Sequence, residues 1–222
     1  MLQAIDGMSA LTLGGSNMND TLIGNHGHNV LTGEGGSDIM QGGAGNDLYY
    51  VESRGDAVTE TSGANGTDHV VSAISYALGA YVEHLTASGS SSIGLTGNSL
   101  ANVITGNVGR NTIKGGSGND KLSGGAGNDT LYGNAGKDSF VFNTKPHAKS
   151  NKDFIKDWNH RDDTIQLENA IFTKLKKTGT LNKDSFVIGA KAKDANDVVG
   201  YNKATGDLWY DANGSKAGGQ VV

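Results

Sequence analysis

A nine-residue repeat is the feature that most restricts what this chain can fold into. Read from Gly97, the sequence divides without a gap into GNSLANVIT, GNVGRNTIK, GGSGNDKLS, GGAGNDTLY and GNAGKDSFV, which end at Val141. The same frame read from Gly15 gives GSNMNDTLI, GNHGHNVLT, GEGGSDIMQ and GGAGNDLYY, which end at Tyr50. Weaker copies follow at 51–59 and, after a three-residue insertion, at 63–71. A fixed short period predicts a stack of similar units.

Each unit combines a turn with a short strand. The first six positions are rich in glycine, which accepts the positive φ of tight turns, and the last three alternate polar, apolar, polar. Two units therefore close one coil of eighteen residues, with coils about 4.8 Å apart. This predicts an all-β fold, a parallel β-roll solenoid of two stacks followed by a small C-terminal β-rich domain. The predicted inward residues are Leu22, Leu31, Met40, Tyr49, Ile104, Ile113, Leu122, Leu131 and Phe140.

The repeat also suggests how the chain is divided. Residues 1–14 form a lead-in, 15–71 a first block of the roll and 97–141 a second block. Between them, 72–96 keeps alternating apolar residues and turn glycines but loses the acidic position, which predicts strands without metal-binding turns. Residues 142–222 have a different composition, with both tryptophans, and are predicted to form a β-rich capping or secretion-type domain.

Composition excludes several classes of protein. The 222 residues include 35 glycines, one proline and no cysteine, which argues against collagen, proline-rich linkers and disulfide scaffolds. No apolar run is long enough for a transmembrane helix, and the first residues lack the pattern of a cleavable export signal.

The net charge of −5 argues against nucleic acid as a partner and favours a cation. The motifs H-E-x-x-H, G-x-S-x-G and the P-loop are absent, so the sequence predicts no enzyme.

The acidic sixth position of the unit points to a metal ion. Stacking places this carboxylate beside its counterpart two units on, and two such charges about 5 Å apart repel by about 3 kcal/mol at an effective dielectric near 20. A hard dication between them reverses the sign of that interaction. Turn carbonyl groups complete an all-oxygen shell of the kind that calcium prefers, while the nitrogen and sulfur ligands of zinc are missing from the turns.

The units GGSGNDKLS and GGAGNDTLY resemble the G-G-x-G-x-D-x-U-x nonapeptide of the RTX (repeats-in-toxin, hemolysin-type) calcium-binding family, in which U is a large apolar residue. The segment from Asp138 to Glu168 resembles the region that follows the roll in serralysin-type proteases. The resemblance implies several calcium ions, each between turns two units apart. The earlier turn supplies carbonyl groups from its second and fourth positions and its acid, and the later turn supplies carbonyl groups from its first and third positions and its acid.

Four ligand sets follow from the resemblance. They are Gly116, Gly118 and Asp120 with Gly133, Ala135 and Asp138; Asn107, Gly109 and Asn111 with Gly124, Ala126 and Asp129; Ser16, Met18 and Asp20 with Gly33, Gly35 and Asp38; and Asn25, Gly27 and Asn29 with Gly42, Ala44 and Asp47. Weaker sets join Glu34, Gly36 and Asp38 to Val51, Ser53 and Asp56, and Asn98, Leu100 and Asn102 to Gly115, Ser117 and Asp120.

Two features leave alternatives open. Asn29, Asn102 and Asn111 stand where the unit has an acid, which keeps an oxygen ligand but removes a charge and predicts weaker binding. The C-terminal carboxylates Asp153, Asp157, Asp162 and Asp163 either include a calcium ligand that caps the roll or are solvated.

The resemblance implies a secreted, extracellular module of a Gram-negative bacterium, exported by a one-step secretion apparatus and folded by external calcium. Two other functions remain open. One is a module that binds acidic polysaccharide or a cell surface, and the other is the C-terminal part of a secreted hydrolase or epimerase. The ending GGQVV favours a truncated chain, because relatives tend to continue past a similar turn.

Overall fold

The computed structural model describes residues 2–3, 9–61, 66–176, 178–194, 196–212 and 220–221. These residues form strands and turns, with one short 3-10 helix at Lys183–Ser185 among them. None of the helical structure in these ranges is long or apolar enough to cross a membrane.

Parallel strands form the two faces of a roll. One face is a sheet of nine described strands, and the opposite face consists of a four-stranded and a five-stranded sheet. The first face contains β2 (Leu11–Ser16), β4 (Asn29–Glu34), β6 (Leu48–Val51), β8 (His69–Ser72), β10 (His84–Ala87), β12 (Val103–Thr105), β14 (Lys121–Ser123), β16 (Ser139–Phe142) and β18 (Thr164–Leu167). The opposite face contains β1 (Leu2–Gln3), β3 (Thr21–Ile23), β5 (Ile39–Gln41) and β7 (Ala57–Val58), then β9 (Tyr76–Ala77), β11 (Gly94–Thr96), β13 (Thr112–Ser117), β15 (Thr130–Ala135) and β17 (Phe154–Ile155). This architecture confirms the predicted parallel β-roll.

The register of the sheets follows the eighteen-residue coil. Leu31 pairs with Tyr49 on one face, and Leu22 pairs with Met40 on the other. Because each strand directs one central side chain inward, the apolar residues of the repeat stack into a continuous core. All nine of the predicted inward residues are at most 1% exposed.

The second face is interrupted between β7 and β9. A three-residue insertion separates the weak copy at 51–59 from the one at 63–71, so Tyr49 pairs with Val70, twenty-one residues on, rather than eighteen. At the interruption the Val58 N–H donates to the Tyr76 hydroxyl at 3.1 Å. The nine-stranded face continues across this point through β8 and β10, so one core runs through both blocks.

The roll continues beyond the last nonapeptide unit. Strands β17 and β18 add one further strand to each face, with Leu131 paired to Ile155 and Phe140 to Ile165. A separate sheet follows, made of β19 (Phe186–Ile188), β20 (Val199–Asn202), β21 (Asp207–Asp211) and β22 (Gln220–Val221). Phe142 from the roll packs against a second apolar cluster, which is formed by Phe172, Val198, Val199 and Tyr210. In this cluster the ring centres of Phe172 and Tyr210 lie 5.0 Å apart. The predicted C-terminal β-rich region is therefore present.

Candidate metal centres

The sixth residues of the repeat form hydrogen-bonded ladders between coils. In each rung the backbone N–H of one sixth residue donates to Oδ1 of the aspartate one coil later. The N–H groups and acceptors, with their distances, are Asp20 to Asp38 (2.8 Å), Asp38 to Asp56 (3.2 Å), Asn29 to Asp47 (2.7 Å), Asn102 to Asp120 (2.8 Å), Asn111 to Asp129 (2.7 Å) and Asp120 to Asp138 (2.9 Å). The structure thus brings together the acidic positions that the spacing of two units pairs.

The second oxygen of several ladder carboxylates is buried without a partner. Oδ2 of Asp38, Asp47, Asp120 and Asp129 has no hydrogen-bond partner among the described residues. These four side chains are at most 2% exposed. A buried carboxylate oxygen that receives no hydrogen bond is strongly unfavourable unless a cation or a proton compensates it. The donor set is therefore suited to a hard cation.

The first glycine of the unit leaves room beside this oxygen. A Cβ atom added at Gly33, Gly115 or Gly133 would overlap Oδ2 of the aspartate in the same unit. The same overlap occurs at Gly42 with Asp47 and at Gly124 with Asp129. A side chain at this position would displace the carboxylate, so glycine is required by the site and not only by the turn.

Glycine is also needed where neighbouring turns approach each other. Gly116 and Gly118 have φ values of 110° and 104°, which L side chains rarely adopt. A Cβ at these positions would overlap the carbonyl oxygens of Asn98 and Leu100 in the preceding coil. The turn backbone therefore carries carbonyl oxygens to the space between coils, next to the carboxylate ladder.

Burial disfavours the charged form of the ladder carboxylates. It raises the pKa of Asp129 to about 7, and the nearby Asp153 charge adds to this effect. Burial also raises the pKa of Asp120 to about 6, with a contribution from the Asp138 charge. The pKa of Asp47 is raised by burial as well, despite its hydrogen bonds from Asn29. The turns therefore hold carboxylates that bind a positive species more readily than solvated carboxylates do.

The two predicted ligand sets of the second block belong to two different ladders, one through Asp120 and Asp138 and the other through Asn111 and Asp129. In the first, Gly116 is in register with Asn134 and Ser117 with Ala135, and the Asp120–Asp138 rung closes the turn. In the second set, the Asn111 N–H donates to Asp129. The turn that contains Gly124, Ala126 and Asp129 packs closely on the earlier turn, with Gly125 against the Asn107 carbonyl oxygen and Gly127 against the Gly109 carbonyl oxygen. Whether these residues bind calcium stays a prediction.

The two predicted sets of the first block are also assembled, with one difference between them. In the set of Asn25, Gly27 and Asn29, the following turn approaches the Asn25 and Gly27 carbonyl oxygens, and Gly42, Ala44 and Asp47 belong to that turn. In the set that begins with Ser16, Gly36 likewise approaches the Met18 carbonyl oxygen, and the two turns are also joined by a hydrogen bond from the Gly35 N–H to the Ser16 carbonyl at 3.0 Å.

Asp20 differs from the buried ladder aspartates. Its Oδ2 accepts hydrogen bonds from the Ser16 hydroxyl at 2.7 Å and from the Ser16 N–H at 2.8 Å. These bonds lower the pKa of Asp20. Met18, from the same predicted set, has a side chain that is 73% exposed. Asp20 can therefore remain charged without a cation, as an ordinary turn-capping aspartate does.

The asparagines that begin the second block donate to the preceding coil. Asn102 Nδ2 lies 3.0 Å from the Val82 carbonyl oxygen and 3.2 Å from that of Glu83. Asn111 Nδ2 lies 3.4 Å from the Ile93 carbonyl oxygen. In the preceding coil, Glu83 lies in register with Asn102, because His84 pairs with Val103, and Glu83 Oε2 accepts the Asp68 N–H at 2.8 Å. The amides of Asn102 and Asn111 thus supply N–H groups to carbonyl oxygens of the preceding coil.

Sequence reasoning did not assign the carboxylates that extend the ladders. The Asp47 N–H donates to Asp68 at 2.8 Å, the Asp129 N–H to Asp153 at 3.0 Å, and the Asp138 N–H to Asp163 at 3.0 Å. These pairs are 21, 24 and 25 residues apart, so the eighteen-residue period misses them. These pairs could have been found from the sequence by aligning the apolar residues of successive strands and allowing the loops between the strands to differ in length.

Comparison with protein families agrees with this geometry. The family described as the RTX calcium-binding nonapeptide repeat (4 copies) matches residues 14–49, 96–131 and 115–142. No curated protein matched the chain. The matched segments contain the turns with the buried, unpartnered Oδ2 atoms of Asp38, Asp47, Asp120 and Asp129. The chain therefore contains calcium-binding nonapeptide repeats of the RTX type at residues 14–49, 96–131 and 115–142, and these repeats lie within the β-roll.

Proposed function

We propose that this chain is the calcium-binding module of a secreted bacterial protein, and that it folds when it meets calcium outside the cell. The observation that carries the proposal is the set of buried Oδ2 atoms without partners in successive turns. Calcium neutralises such oxygens with the all-oxygen shell that it prefers. The proposed ligands are the four sets of turn residues named above.

Coupling of folding to calcium follows from the charge of the ladders. The second block contains the consecutive carboxylates Asp120, Asp138 and Asp163, each linked to the next through a backbone N–H. Without a cation these charges face one another in buried or half-buried turns, which opposes stacking of the coils. When binding requires the stacked turns, the free energy of calcium binding becomes free energy of folding.

The coupling of folding to calcium would suit a protein that is exported in the unfolded state. Calcium is scarce in the cytosol, so the repeats would stay unfolded there and could be threaded through a secretion apparatus. Extracellular calcium sites in proteins commonly bind in the 10⁻⁴–10⁻³ M range, which would allow folding after exit. The known character of RTX repeat proteins supports an extracellular, Gram-negative setting, and we assign the roll a structural role.

Far-ultraviolet circular dichroism of the full chain tests the proposal. We expect a disordered spectrum in excess chelator and a β-type spectrum after calcium is added, with a midpoint of about 0.1–1 mM. Magnesium at the same concentration is the control, and it should be much less effective because it requires a tighter octahedral shell. A chain that is equally ordered in chelator and in calcium would refute the proposal.

A further inference from the structure

The insertion that interrupts the second face changes one turn of the roll. Glu60 lies eighteen residues after Gly42, where the repeat would place another first-position glycine. The chain carries a glutamate there instead. The ladder contact of this coil joins Asp47 to Asp68, which is twenty-one residues on, three more than the repeat predicts. A carboxylate thus occupies a place where the repeat offers a backbone carbonyl group.

Three buried carboxylates meet at this position. One carboxylate oxygen from each of Asp47, Glu60 and Asp68 lies within 4.8 Å of the other two. Among the described residues, this is the group of three side chains that could hold a metal ion. The residues are 2%, 6% and 3% exposed. Asp47 Oδ2 and Glu60 Oε2 are buried and accept no hydrogen bond from any described residue.

Tyr49 holds the glutamate in this place. At three other first-position glycines the backbone N–H donates to a carbonyl group in the next coil: Gly24 to Gln41 at 2.7 Å, Gly97 to Lys114 at 2.8 Å and Gly106 to Ser123 at 2.8 Å. At Gly42 the N–H donates instead to the Tyr49 hydroxyl, also at 2.7 Å, and that hydroxyl donates to Glu60 Oε1. Tyr49 is fully buried at the inward position of its unit, so its phenol reaches the turn from the core.

We propose that Asp47, Glu60 and Asp68 bind one calcium ion through three carboxylates, which makes this the most highly charged cation site of the roll. The inference rests on the proposed function and adds a site that the nonapeptide pattern does not contain. Oxygens within 4.8 Å of one another can share one calcium ion, because Ca–O bonds of about 2.3–2.6 Å place opposite ligands about 4.6–5.2 Å apart and neighbouring ligands closer.

The charge of the site predicts its order of filling. Asp120 and Asp138 bring two negative charges to their pair of turns, and Asn111 with Asp129 brings one. Three carboxylates attract a cation more strongly, and the number of charged ligands is a main determinant of calcium affinity in proteins. The Asp47–Glu60–Asp68 site should therefore fill first, and it should accept trivalent terbium, whose charge it would balance.

Calcium counting with the full chain tests the site. The Glu60→Gln variant keeps the size of the side chain and removes one charge, and Glu168→Gln removes an exposed carboxylate at the end of the roll. In equilibrium dialysis against calcium we expect Glu60→Gln to bind one ion fewer, or to lose its tightest site by a factor on the order of ten or more. Glu168→Gln should match the unmodified chain. If Glu60→Gln also matches it, the three carboxylates share protons rather than a metal, and the inference is wrong.

Terbium luminescence gives a second test that leaves every ligand intact. Excitation of Tyr49, whose hydroxyl contacts Glu60, should sensitise the first equivalent of bound terbium. Tyr49→Phe should lose this early luminescence, and because it also removes the hydroxyl that holds Glu60, dialysis should still detect bound terbium but with a weaker first site. Early luminescence that is unchanged in Tyr49→Phe would place the first ion elsewhere. Absence of any calcium binding by the unmodified chain would instead refute the proposed function, so the two failures are distinguishable.

Discussion

Replacement of two equivalent aspartates by asparagine should have very different effects on the roll. Asp129 and Asp56 both occupy the sixth position of a unit, and Oδ1 of each accepts a backbone N–H from the preceding coil, at 2.7 and 3.2 Å. They differ in the second oxygen. Asp129 Oδ2 has no hydrogen-bond partner among the described residues, whereas Asp56 Oδ2 accepts from the N–H groups of Glu52 and Ser53 at 3.1 and 2.9 Å.

The loss of stability expected in each variant follows from the interactions that its carboxylate makes. Asp129 lies between Asn111 and Asp153 in its ladder, so it faces two neighbouring cation positions. Loss of its charge should weaken calcium binding at each on the order of tenfold, or about 1.4 kcal/mol per position and about 2.8 kcal/mol together. Asp56→Asn keeps an amide oxygen for one of its turn hydrogen bonds, so it should cost about 1 kcal/mol.

Urea unfolding at a fixed millimolar calcium concentration, followed by circular dichroism, measures both free energies. Equilibrium dialysis of the same samples counts bound calcium, which should fall in Asp129→Asn and stay unchanged in Asp56→Asn. Equal losses of stability in the two variants would refute the reasoning. Undiminished calcium binding by Asp129→Asn would show that its unpartnered oxygen is not a ligand.

Three further predictions concern protons, glycine and the core. In chelator, lowering the pH from about 8 to about 5 should stabilise the folded roll, because a pKa raised from 3.8 to about 7, as at Asp129, makes the folded form bind more protons than the unfolded form. This contribution is complete below the unfolded pKa and is lost as the pH rises through the folded pKa, with a limit of about 1.4 kcal/mol per pH unit for each such carboxyl. In a pH series of circular dichroism spectra in chelator, the β-type signal should therefore grow as the pH falls from about 8 to about 5, and a decrease would contradict the prediction. Gly133→Ala should cost about 1–3 kcal/mol in calcium because its Cβ overlaps Asp138 Oδ2, whereas Gly14→Ala, with nothing within 4 Å of its Cβ, should change the urea midpoint little. Leu122→Ala, at a fully buried position, should cost about 2–5 kcal/mol in the same assay, and a loss below about 1 kcal/mol would show that the core does not stabilise the stack.

The fold was predictable because the repeat is local and strict. An eighteen-residue coil with one inward apolar side chain per strand determines which residues stack, and the observed pairing of Leu31 with Tyr49 and of Leu22 with Met40 follows that arithmetic. The facing of Asp120 and Asp138 follows from it as well. Within the blocks, spacing along the chain and position in space are nearly the same information.

Where loops change length, that equivalence is lost. The carboxylate of Asp153 faces Asp129 only because an irregular loop of the correct length returns the chain to the sheet. Glu60 enters the turn of Asp47 only because the insertion displaces a strand and the Tyr49 hydroxyl takes over a backbone hydrogen bond. Neither contact leaves a periodic signal.

By itself, the sequence determined the β-roll, its inward residues and the pairing of acids two units apart, since these depend on periodicity alone. The tertiary structure decided which of those acids keep a buried oxygen without a partner. Asp56 and Asp129 occupy the same repeat position, yet turn N–H groups satisfy one and not the other. The physical reason is that the need for a cation depends on burial and on nearby N–H groups, which are properties of the assembled turns.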